Sequence, residues 1–118
     1  MEAPARLRLA RREAGDVLVL EVTGDLVLGE ECRLLQEEMY GVFGAEYSKV
    51  LLNLSQLRRV DSSGIGVLLA AKTSALRRNV QLKVCSVPPF VAGLLDRARL
   101  TSILEVYEEE AAALATYV

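Results

Sequence analysis

Residues 60–69 read Val60-Asp61-Ser62-Ser63-Gly64-Ile65-Gly66-Val67-Leu68-Leu69. Three polar side chains with acceptor oxygens stand at the mouth of an apolar helix, and two glycines follow within its first turns. The N–H groups at the start of a helix have no intrahelical partner, and the helix dipole behind them favours negative charge. A serine at that place can carry a phosphate, about −2 charge and three acceptor oxygens, without unfolding the helix. Asp61 beside it is a candidate to orient the hydroxyl or to meet a metal ion brought with a nucleotide. The same Asp-Ser-Ser ahead of an apolar run is also how an ordinary cap looks, and Gly64 and Gly66 also suit close packing of helix on sheet. Spacing leaves both readings open.

Outward from this segment, short apolar runs alternate with helical patterns. On its N-terminal side, Lys49-Val50-Leu51-Leu52-Asn53-Leu54 is a continuous apolar run of strand length, as in a strand covered on both faces. Ser55 to Asp61 reads as the connecting loop. Further back, Leu28, Cys32, Leu35, Met39 and Val42 recur at helical spacing, with Glu30, Glu31, Arg33, Glu37 and Glu38 opposite and Gly41 and Gly44 loosening the end. Thr23-Gly24-Asp25 ends a preceding apolar strand, Val17 to Val22. That strand forms an antiparallel pair with Arg6-Leu7-Arg8-Leu9 across the turn Glu13-Ala14-Gly15-Asp16.

On the C-terminal side, the helix runs from Ser63 to Arg77, with Ile65, Leu68, Leu69 and Leu76 as its buried stripe. Val67, Ala70, Ala71 and Ser74 form a bland outer face, which suits either a docking strip or packing under a neighbouring helix. Asn79 serves as a left-handed cap. Val80 to Cys85 is the next strand. Ser86-Val87-Pro88-Pro89 starts a helix, with Ser86 or its neighbour capping. Ile103 to Tyr107 is a last strand, and Glu108-Glu109-Glu110 opens a terminal helix. The order β-β-α-β-α-β-α-β-α predicts an α/β fold with a mixed, mostly parallel sheet flanked by helices, one domain over residues 1–118.

Composition narrows the function. The chain has 118 residues, 52% hydrophobic and 25% charged, with net charge −2 from 14 basic and 16 acidic side chains. Disorder is excluded, and no strong field favours nucleic acid. Mean hydropathy is +0.26, which asks for a sheet buried on both faces or an apolar surface that meets a partner. Without histidine, Ser-His-Asp triads and His-ligated zinc are absent from the chain. The spacing around Ser62 is not Gly-x-Ser-x-Gly, and no phosphate-binding glycine loop is present, so a hydrolase or a nucleotide enzyme has no support. Cys32 and Cys85 lack paired motif spacing and read as buried hydrophobes in a reducing cytosol. The apolar runs fall far short of the ~20 residues of a membrane span, and no signal peptide is expected. Arg6, Arg8, Arg11 and Arg12 read as an edge-strand solubility device, and Tyr40, Tyr47, Tyr107 and Tyr117 as half-buried anchors.

Asp61 to Gly66 resembles the signature of the STAS family, the domain of anti-sigma factor antagonists and of sulfate-transporter tails, without a gap. Thr23-Gly24-Asp25-Leu26 is similar to the family's Gly-x-Leu element. The strand Val50 to Ser55, the segment Leu82 to Pro88 and the helix Leu94 to Leu100 resemble the flanking elements in order and spacing. The resemblance implies a non-enzymatic switch without cofactor or metal. Ser62 would be the phosphorylation site. The partner would be an anti-sigma factor that is also a serine kinase, bound by the unmodified form and released by the phosphorylated one.

The implied partner-binding surface takes in Asp61, Ser62, Ser63, Gly64, Val67, Ala71, Ser74, Asp25 and Val27. A cytoplasmic location is expected, with no membrane insertion, and a homodimer is left open. Two positions depart from the family's pattern. Val27 stands where many switch-type members carry an acid, and Arg58 and Arg59 stand where members are often apolar or small. Val27 favours the alternative of a constitutive scaffold or transporter-accessory module without phosphorylation. The switch reading requires the Ser62 hydroxyl to be uncovered.

Overall fold

The computed structural model describes residues 6–43 and 47–118. The first two strands, β1 (Leu7–Ala14) and β2 (Val17–Leu26), form an antiparallel hairpin in the register Ala14↔Val17 to Leu7↔Gly24. Gly15 sits at φ +62, the left-handed conformation that a two-residue hairpin loop asks of its first residue. The chain continues through α1 (Glu30–Phe43), β3 (Lys49–Val60), α2 (Ser62–Arg77), β4 (Gln81–Cys85), α3 (Pro89–Arg97), β5 (Val106–Tyr107) and α4 (Glu110–Leu114). The sheet order is β1-β2-β3-β4-β5, parallel everywhere except between β1 and β2. This is the expected element order and the expected mixed sheet.

The main core lies on one face of the sheet. Leu18, Leu20, Val50, Leu52, Leu82 and Val84 point into it from the strands and meet Leu35 and Met39 of α1, Leu68 of α2, and Val91 and Leu95 of α3. The opposite face carries Val17, Val19, Leu51 and Cys85 under Ala113 of α4. β3 is therefore covered on both sides, as its apolar run predicts. Both cysteines are free and buried.

Several local expectations are corrected. β2 does not end at Val22. It runs on through Thr23-Gly24-Asp25 to Leu26, bent by two register shifts against β3. Gly24, at φ +107, allows the bend: a Cβ there would stand 2.0 Å from the Arg6 carbonyl oxygen. β3 likewise continues past Leu54, and residues 55–60 are strand rather than loop because they pair with that extension of β2. Leu28 lies before α1, 75% exposed, not on its buried stripe. The end of α1 runs through Gly41 to Phe43, and Gly44 lies outside the described residues.

The buried stripe of α2 is rotated from the predicted one. Gly64, Leu68, Ala71, Lys72, Ser74 and Ala75 face inward, Ile65 is half-buried, and Leu69 and Leu76 are exposed. Small residues bring this helix close to its neighbours and turn two leucines outward. Asn79 adopts the predicted left-handed conformation, φ +58. No side chain caps α3: Ser86 is itself at φ +59, and Pro88 holds the cap position with Pro89 as the first helical residue. The last strand is only two residues long, because residues 101–105 form turns that end on Glu105 at φ +52. Tyr47, Tyr107 and Tyr117 are half-buried, but Tyr40 is exposed.

Candidate functional site

The site is built where the extended ends of β2 and β3 deliver the chain into α2. Asp61 is in extended conformation, φ −108 and ψ −176, with its amide 3.3 Å from the Leu26 carbonyl. Its Oδ1 accepts the Gly64 N–H at 3.0 Å, an N-terminal cap in the usual sense. Its Oδ2 accepts the Leu28 N–H at 2.9 Å, from the connection between β2 and α1. One carboxylate thus ties the start of α2 to the loop that follows β2. The two amides, Leu28 first and Gly64 second, hold the Asp61 carboxyl below its ordinary value. Among the described residues, neither Ser62 nor Ser63 offers it a side-chain hydrogen bond, so the carboxylate orients the loop rather than a hydroxyl.

Ser62 is the first residue of α2 and is exposed, and Ser63 is half-buried. The two glycines differ. A Cβ on Gly64 would stand 2.3 Å from the Leu26 carbonyl oxygen, so helix and strand touch there; beside Gly66 nothing lies within 4 Å. Close helix–sheet packing therefore accounts for Gly64 and not for Gly66. The exposed residues Ser62, Gly66, Leu69 and Thr73 follow one another along α2 at steps of three and four.

The other singled-out residues fall into two places. Val67 is half-buried and Ala71 and Ser74 are buried; they do not form an outer face but turn toward α1. With Met39, Tyr40 and Phe43 of α1 they line a cavity of about 370 Å³ that reaches Ser63 and Gly66. Asp25 and Val27 lie beyond the other end of the cap. Asp25 is 2% exposed, and its Oδ1 accepts no hydrogen bond; the Arg58 guanidinium stands 3.3 Å away, out of alignment. Val27 is half-buried. Arg58 and Arg59 are side chains of β3, not of a loop, and both are exposed.

Sequence reasoning missed the Leu28 latch and the α1 wall of the cavity. The helical spacing marks Met39 for burial but does not pick out Phe43, and no pattern in the chain says that a space is left between two helices.

A family model described as the STAS domain matches residues 8–113. The chain belongs to the STAS domain family. An anti-sigma F factor antagonist from Paenibacillus polymyxa is 30% identical over 100 residues, which is 83% of this chain and 84% of that relative. Among solved structures, an anti-sigma factor antagonist from Mycobacterium paratuberculosis superposes with a TM-score of 0.81 at 18% identity, over 98% of this chain and 97% of that one. The Bacillus cell fate determinant SpoIIAA in its phosphorylated form superposes with a TM-score of 0.69 at 16% identity, over 94% and 99%. These two likenesses show the fold. In the STAS frame, the signature Asp61 to Gly66 occupies the cap and first turn of α2.

Proposed function

We propose that this STAS domain is an anti-sigma factor antagonist, a binding protein rather than an enzyme. Unmodified, it docks on an anti-sigma factor kinase in the cytoplasm; phosphorylated on Ser62, it lets go. The observation that carries the reading is the exposed position of Ser62 at the first residue of α2, at one end of the exposed stripe Gly66, Leu69 and Thr73. The name of the Paenibacillus relative and the existence of a phosphorylated form of SpoIIAA support it.

The geometry explains how a phosphate would act. A dianion at a helix start ordinarily takes the free N–H groups. Here Asp61 already accepts the Gly64 amide and brings its own negative charge. A phosphate on Ser62 is therefore turned outward, into the docking stripe. Burying it against a partner without a matching cation costs several kcal/mol, on the order of a thousandfold in affinity. No refolding is needed.

The test is to mix the chain with a candidate anti-sigma kinase and ATP and to read intact mass and binding. One phosphate is expected on the unsubstituted chain and none on Ser62→Ala, which keeps its affinity. Ser62→Asp is expected to bind weakly. Tight binding with no phosphate uptake, and no loss in Ser62→Asp, would favour the constitutive module instead, a reading that the missing carboxylate at Val27 supports.

A further inference from the structure

We propose that the cavity between α1 and α2 binds a medium-chain aliphatic carboxylate, with the tail in the cavity and the head on Arg77. The volume, about 370 Å³, lies within the range of small-molecule sites. Met39, Phe43, Val67 and Ala71 supply apolar walls, and Tyr40 stands at the rim, half of it in solvent. A second, more open depression, lined by Leu69, Thr73 and Arg77, shares Tyr40, Gly66, Ala70 and Ser74 with this cavity.

Two further observations point to an elongated ligand with one anionic end. Among the described residues no carboxylate lines either part, Arg77 is the one charged residue that does, and it makes no ion pair. The flank of Gly66 is also empty: its missing side chain would meet nothing, so the helix leaves room there that its own packing does not use. From Ser63 to Ser74 the trough follows about 17 Å of α2 at the helical rise. That is a slot for a chain rather than for a compact polar molecule. Its readout needs no kinase, so the proposal stands or falls apart from the role of Ser62.

The probe is sodium decanoate, kept below micelle-forming concentration and titrated into the full chain while amide resonances are followed by NMR. Saturable shifts are expected in residues 39–43 and 63–77. Decan-1-ol should bind roughly two- to fivefold more weakly, the worth of one exposed ion pair, and Arg77→Gln should erase that preference. Gly66→Leu, which fills the slot, should abolish binding; Ala70→Phe, at an exposed position on the same rim, serves the same purpose if the first variant fails to fold. The proposal is overturned by an absence of saturable shifts, or by equal binding of decanoate and decanol. It is also overturned by undiminished binding in the filled variants, or by shifts spread equally to Leu28, Phe90 and Ile103, the mark of detergent-like adsorption.

Discussion

Gly64 and Gly66 stand two residues apart in α2 and have opposite reasons to be glycine. The first touches the β2 backbone and cannot carry a side chain; the second faces open space and could. A glycine inside a helix costs roughly 0.5–1 kcal/mol relative to alanine. Gly66→Ala should therefore stabilise the domain by about that amount in urea unfolding. Because the new methyl projects from the stripe that begins at Ser62, the same variant should bind the anti-sigma partner more weakly. Stability and binding moving in opposite directions is the expected signature, and equal or tighter binding would remove Gly66 from the docking surface. Both glycines are legible in the sequence as a pair. Their difference is not, because it depends on where Leu26 lies, some forty residues earlier in the chain.

At the scale of elements, legibility followed burial. Val50 to Leu54 is covered on both faces, so its apolar run announces a strand. Residues 55–60 extend past β4, which pairs only with Lys49 to Asn53, and they keep β2 as their partner. Half in solvent, they carry Ser55, Gln56, Arg58 and Arg59, and on composition alone they resemble a loop. The phase of α2 was misread for a related reason. Its buried positions include Gly64, Ala71 and Ala75, which contribute little to a hydrophobic pattern, while Leu69 and Leu76 face outward. The bent end of β2 yields a prediction of its own. Gly24→Ala would drive a Cβ into the Arg6 carbonyl and would hold alanine at positive φ. A cost of about 1–3 kcal/mol is expected, with loss of hydrogen-exchange protection at the Asp25 amide, which now bonds to Arg6 at 2.8 Å. Unchanged protection there would mean that the first strand gives way without strain.

Across the whole molecule, charge is arranged so that neutral pH is featureless. The chain has no histidine. Among the described residues four carboxylates lie below their ordinary values: Asp16 through Lys49, Glu31 through the Arg6 amide, Asp61 through the Leu28 and Gly64 amides, and Glu110 through Arg12 and Asn53. A depressed carboxylate stabilises the fold above its unfolded value and loses that contribution as pH falls through the folded one. The ordinary values are 3.8 for Asp and 4.5 for Glu, so the loss begins near pH 4.5 and deepens below it. Arg11, Arg12 and Arg33 are pushed up further by hydrogen bonds to Glu38, to Glu110 and Glu21, and to Glu30, and stay charged throughout. Calorimetry should find a melting temperature that is flat between pH 6 and 8 and drops below about pH 4.5. A step near neutrality would contradict this distribution of charge.

The bond from the Leu28 amide to Asp61 has a practical consequence. Leu28 is 75% exposed, and its backbone is pinned to the same carboxylate that caps the helix beginning at Ser62. The chain contains no tryptophan. An indole installed at position 28 would be the molecule's sole strong fluorophore, seated on the tether itself. Its emission would report, without any label, whether the events at the neighbouring serine slacken that knot or leave it tied.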